Sequence, residues 1–239
     1  MGIFDKDDEP AGITADVARV DDSVTVDARA GAATRMVERL MDVGFDGKGR
    51  FDSARKVADV AIAQHPQAER AIDAMVRSHL KLAAAGGFVT SLGGFAAMPI
   101  ALPANVLEFY LVATRMVAAI ASIRGYDLRR PEVRSAVLLA LVGADADDLL
   151  KKLPPLPGVS TGRLANLAAQ RLPGPALLAV NKAVGFRLLN QFGRSSLTRF
   201  GKAVPLVGGA VGAGVDTFLL KRIADNARQE FPPRPRPVA

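Results

Sequence analysis

Between Lys202 and Asp216 the chain reads Ala-Val-Pro-Leu-Val-Gly-Gly-Ala-Val-Gly-Ala-Gly-Val, without a single charge. Four of its glycines, Gly208, Gly209, Gly212 and Gly214, fall within seven positions. In a helix each glycine costs about 1 kcal/mol relative to alanine, so a helix here needs an offset of about 4 kcal/mol. Close packing against another helix supplies such an offset, and so does contact with lipid. Pro205 bends or starts the helix. Ala203 to Val215 is 13 residues. As a helix that is about 20 Å, too short for the roughly 30 Å of a bilayer's hydrocarbon.

A second uncharged run lies upstream, from Leu82 to Leu107. Pro99 and Pro103 interrupt it. Its unbroken part, Leu82 to Met98, is about 25 Å long as a helix and borderline for a span. Its glycines form two pairs, Gly86-Gly87 and Gly93-Gly94, seven positions apart and therefore on one helical face. Both runs read as faces for close contact, with each other or with lipid.

Composition narrows the fold class. Cysteine and tryptophan are absent and aromatic residues make up 5%. No disulfide framework, thiolate nucleophile or cysteine-ligated zinc site is available. A core of Ala, Leu, Val and Ile favours closely packed helices over a β-sandwich. The net charge of +7 is uneven, because residues 1–30 carry eight acids against three bases. The basic remainder can mean nucleic acid, an anionic membrane surface or nothing beyond solubility. The acidic start lacks the basic, then apolar pattern of a secretory signal.

Local signals divide the chain. Residues 1–30 are an acidic, aperiodic arm. Residues 31–231 form the helical domain, with a Pro/Gly-rich linker near 153–175. Within it a short helix is expected from Ala32 to about Val43, followed by a loop, Gly44–Arg50. Asp52 or Ser53 caps a helix towards Gln64, and Pro66 starts the next. The latter carries Ile72, Met75, Val76, His79 or Leu80, and Leu82 on its apolar face. Asn105 to Ile123 is helical, charged only at Glu108 and Arg115, and Gly125 stops it. Another helix runs from Pro131 to about Leu141, and one more from about Ala176 to Gln191. The last helix repeats apolar residues at Val215, Leu219, Ile223, Ala227 and Phe231. The Pro/Arg tail, 232–239, is expected to be disordered. No strand pattern occurs.

These residues resemble the EcsC family. The resemblance is carried by Lys202–Asp216 with the helix ending Ala227-Arg-Gln-Glu-Phe231. It is carried also by His79–Gly87, Gly93-Gly94, Pro99, Pro103 and the step Gly125-Tyr126-Asp127. It spans roughly residues 50–231 and leaves out the arm and the tail. It implies a bacterial, helical, hydrophobic protein associated with membranes, and it brings no catalytic residues.

Candidate chemistry is sparse. Gly158-Val-Ser160-Thr-Gly162 fits the G-x-S-x-G of hydrolases, yet Pro154-Pro-Leu-Pro157 precedes it where a strand is required. His65 and His79 stand 14 apart without a metal-binding context. Asp145, Asp147 and Asp148 read as a solvated turn, and Gly47-Lys48-Gly49 as a plain one. No nucleic-acid-binding pattern accompanies the bases.

The resulting expectation is an all-α multi-helix bundle with glycine-rich apolar helices able to form a membrane-inserting hairpin. It is a non-catalytic scaffold or regulator on the cytoplasmic face of a bacterial membrane, without metal or cofactor. Helix-packing or membrane contact falls to Gly86, Gly87, Gly93, Gly94, Pro205, Gly208, Gly209, Gly212 and Gly214. Arg187, Arg194, Arg199, Lys202, Lys221 and Arg222 face anionic lipid. The alternatives are a soluble bundle that binds a protein partner or self-associates and, third, a serine hydrolase.

Overall fold

The computed structural model describes residues 30–49, 51–92, 104–143, 146, 149–150, 164–199 and 205–234, with the helical backbone alone at 83–92, 104–106, 191–199, 205–213 and 215. Every regular element among them is helical, in agreement with the all-α expectation. Helix α1 covers 30–39 and passes into a π-helical segment, Leu40–Phe45. There follow α2 (Ala54–Gln64), α3 (Ala68–Leu92), α4 (Ala104–Ile123) and α5 (Pro131–Val142). The chain continues with α6 (Leu164–Ala169), α7 (Gly174–Arg199) and α8 (Pro205–Glu230).

Local chemistry sets several of these bounds. The Ser53 hydroxyl accepts the Lys56 N–H at 3.2 Å and caps α2. Pro131 occupies the first turn of α5, where its missing N–H costs nothing. Gly125, at φ +89°, ends α4 in a left-handed turn. Helix α3 begins at Ala68, not at Pro66, and continues through Gly86-Gly87. Helix α7 is longer at both ends than its apolar pattern suggests.

Helix α4 is the centre of the bundle. It packs against α2, α3, α5, α8 and the π-helical segment. Each residue from Tyr110 to Ala121 is buried. A helix apolar on all sides needs cover on all sides, and here protein supplies it. No helix among the described residues is long and apolar enough to cross a membrane. Arg115, one of two charges on α4, is buried with its guanidinium 5.2 Å from the centre of the Phe51 ring.

Helix α8 lies along α3 in the most extensive helix pairing among the described residues. Its buried stripe is Leu220, Ala224, Ala227 and Phe231. The expected four-residue repeat is thereby corrected: Leu219 is exposed and Ile223 half-buried. A step of four residues advances about 400°, so a strict repeat drifts about 40° per step and leaves the face. Helix α7 crosses α1 closely, since a Cβ on Gly185 would stand 2.7 Å from the Ala33 carbonyl oxygen.

Candidate functional site

The Arg228–Asp73 ion pair, at 2.6 Å, joins the end of α8 to the start of α3 and makes the pair antiparallel. The glycine-rich halves of the two helices, 83–92 and 205–214, therefore point the same way. Gly86 and Gly87 lie within α3, while Pro205 opens α8 and Gly208, Gly209 and Gly212 follow in its first turns. Gly214 is exposed, and a Cβ there would meet nothing within 4 Å. Gly93, Gly94 and Lys202 lie outside the described residues.

Of the six expected bases, Arg187, Lys221 and Arg222 are described with their side chains. Lys221 and Arg222 are neighbours on α8. Lys221 pairs with Asp225 at 3.3 Å, and the Arg222 guanidinium sits 6.0 Å from the centre of the Phe218 ring. Arg187 is half-buried on α7, which packs on α5, and Arg194 and Arg199 lie further along α7.

The structure exposes Phe218, which sequence reasoning left out, and also Leu82 and Leu219, which it assigned to apolar packing faces. Leu82, Phe218 and Leu219 are exposed at 48%, 59% and 36%. Counting equally from Asp73 and Arg228 towards the glycine-rich ends brings Leu82 and Leu219 to one level. Arg77 and Lys81 are exposed on α3, on the body side of that level. On the body side of that level stand four bases, Arg77, Lys81, Lys221 and Arg222, with the exposed Asp225 among them, and the half-buried Asp216 lies beyond it. Their signal in the sequence is weak, because apolar residues next to bases also occur where a helix turns from core to solvent.

Comparison with family models, curated proteins and solved structures finds no match to this chain.

A concavity lies around the α4–α5 turn. It is a cleft of about 540 Å³. Its charges are largely matched. Arg129 holds Asp127 in a backbone and side-chain grip, which lowers that carboxyl to about 2. Arg134 forks onto Asp46, stacks on Phe45 and donates to the Leu128 carbonyl at 2.8 Å. Tyr126 is buried, edge-on to Phe231 at 5.2 Å, and burial raises its pKa against the opposing pull of Arg234 and Arg124. A phenol so placed keeps its proton at neutral pH and is no general base.

The C-terminal segment closes this turn. Residues 232–234 are non-helical, as their prolines require, yet Arg234 is docked. Its N–H donates to the Arg124 carbonyl at 2.9 Å and its guanidinium to the Ala165 carbonyl at 3.1 Å. The same guanidinium covers the Tyr126 ring at 4.3 Å. The tail is thus held at least as far as Arg234, by contacts remote in sequence. Residues 235–239 lie outside the described ones.

His79 is a packed core residue. Its Nδ1–H donates to the Met75 carbonyl at 2.9 Å, and burial, reinforced by Arg115, lowers its pKa to about 4. No cluster of side chains able to hold a metal ion occurs among the described residues. Ser160 and the aspartates at 145, 147 and 148 lie outside them.

Proposed function

We propose that this chain is an EcsC-like, non-catalytic helical protein that attaches peripherally to an anionic membrane surface, as a scaffold or regulator of a bacterial membrane process. One observation carries the reading. The paired α3 and α8 hold exposed apolar residues, Leu82, Phe218 and Leu219, next to four bases. Exposed apolar groups gain by leaving water, at about 25 cal/mol per Å². A base near an anionic leaflet adds about 1 kcal/mol. Lys221, already paired with Asp225, adds less. Arg187, Arg194, Arg199 and Lys202 extend the basic character along α7 and the segment after it. The absence of a spanning helix among the described residues accords with peripheral attachment. Cosedimentation and flotation with phosphatidylglycerol vesicles test this. Binding at low salt, weakened at high salt and absent with neutral vesicles, is the expected result. Failure to float at low salt refutes it and favours a module that binds protein partners.

A further inference from the structure

We infer that the corner formed by Arg124, Gly125, Tyr126 and Ala165 is a binding site for a proline-flanked arginine, which the chain's own strap, Pro232–Arg234, occupies in cis. Its ligand in trans is a partner protein that presents an extended Pro-Pro-Arg segment and enters when the strap leaves. The site does not depend on membrane attachment.

Each part of the strap meets a different feature of the corner. The Arg234 N–H donates to the Arg124 carbonyl at 2.9 Å. That carbonyl lies just past the end of α4, where helical carbonyls lack partners and the helix dipole is negative. A cation is favoured there. The Arg234 carbonyl oxygen comes so near Gly125 that a Cβ would stand 2.8 Å from it. The bare glycine is what lets an extended backbone lie against the corner. The guanidinium covers the Tyr126 ring at 4.3 Å and donates to the Ala165 carbonyl at 3.1 Å. A planar guanidinium stacks by its face while donating from its edge, which an ammonium cannot match. Pro232 and Pro233 bring no N–H that needs a partner and hold the approach extended.

The corner is complete without the strap. The Arg124 guanidinium is paired with Glu69 at 2.7 Å, and Tyr126 packs edge-on against Phe231. The turn after α4 is closed by Gly125 N–H to the Ser122 carbonyl and Tyr126 N–H to the Ala121 carbonyl, both at 3.0 Å. The strap, in turn, is lightly held. Phe231 is fully buried, but Pro232 is half-buried and Pro233 exposed, and the polar contacts are those of Arg234. One ordinary hydrogen bond, one charge-assisted bond and a stack, set against the ordering of one arginine, favour the closed strap by about fivefold to thirtyfold. Such a hold fills the site without sealing it. A ligand in trans competes with the strap, and its apparent affinity falls by the open fraction.

The chain has two tyrosines, Tyr110 and Tyr126. Isotope-labelled tyrosine rings followed by NMR therefore give one reporter in the site and one, the buried Tyr110, as a control on the fold. The acetylated, amidated tetrapeptide Pro-Pro-Arg-Pro, the sequence of residues 232–235, is titrated into the full chain and into its Arg234→Ala variant. In Arg234→Ala the Tyr126 signal should move to saturation while Tyr110 stays in place. In the parent, half-saturation should need about fivefold to thirtyfold more peptide. The same peptide with lysine in place of arginine should bind weaker by about fivefold or more. No movement of Tyr126 in Arg234→Ala at about 10 mM peptide overturns the site, since a short linker gives the strap a millimolar effective concentration. Equal half-saturation in the two proteins overturns occupation in cis, and equal binding of the lysine peptide overturns the reading of arginine. Movement of Tyr110 along with Tyr126 overturns a local site. A shift of Tyr126 on concentrating the parent alone overturns the choice of a foreign partner and makes a second copy the occupant.

Discussion

Gly125→Ala tests how the C-terminal strap is held. The substitution carries two costs. At φ +89° an alanine pays about 1–2 kcal/mol for a left-handed backbone. Its Cβ would also stand 2.8 Å from the Arg234 carbonyl oxygen, and overpacking of this kind costs about 1–3 kcal/mol. The second cost has a ceiling, because the strap can leave. Its contacts are a backbone hydrogen bond at about 1 kcal/mol and a charged one at about 1.5–3 kcal/mol. Stacking on Tyr126 adds about 0.5–2 kcal/mol. Ordering Arg234 opposes them by about 2–4 kcal/mol. The net is about 1–2 kcal/mol, so Gly125→Ala should destabilise the full chain by about 2–4 kcal/mol. In a chain ending at Pro233 only the backbone strain remains, about 1–2 kcal/mol. Urea unfolding of the four proteins, compared by midpoint at constant slope, measures the coupling. Equal costs in both backgrounds, within the roughly 0.5 kcal/mol of additivity, would refute the claim that the Arg234 carbonyl is the obstacle.

Other outcomes follow from the same geometry. Gly214→Ala, in an open helical position, should stabilise the protein by up to about 1 kcal/mol in urea unfolding. Gly185→Leu should destabilise it by about 1–3 kcal/mol, because α7 and α1 touch there through backbone; thermal melting reads this as a lowered Tm. For His79 the folded pKa, about 4, lies below the unfolded 6.5, so the unfolded chain binds more protons between those values. Stability contributed by neutral His79 is therefore complete above pH 6.5 and declines as pH falls towards 4, by up to about 3 kcal/mol. Unfolding series from pH 7 to 4 should show a shallower loss in His79→Met than in the parent.

Much of the helix plan is legible locally. Ser53 as a cap, Pro131 in a first turn and Gly125 as a stop each act through their nearest neighbours, and each is where the sequence places it. Other features exceed a local reading. A four-residue repeat selects Leu219 and Ile223, whereas the helix buries Leu220 and Ala224, because only the 3.6-residue turn decides which side faces α3. Arg234 carries no mark in the sequence of its contact with Arg124 and Ala165. Two preceding prolines exclude a helix there without saying what the extended chain will lie against. Of the candidate membrane face, Lys221 and Arg222 can be named from the chain alone. Leu82, Arg77 and Lys81 join them only once the register of α3 against α8 is known.

By itself the sequence determines that this chain is helical, low in aromatic residues and basic outside its acidic arm, since those properties rest on composition and short-range spacing. It leaves open what each apolar helix meets. Helix α4 and the glycine-rich half of α8 look alike in hydropathy, both poor in charge and rich in small side chains. Tertiary structure separates them. Five neighbouring elements enclose α4, while α8 reaches a level where Phe218, Leu219 and Gly214 are exposed. The physical reason is that apolar surface specifies only its aversion to water, and the arrangement of the other helices decides whether protein removes it or leaves it exposed.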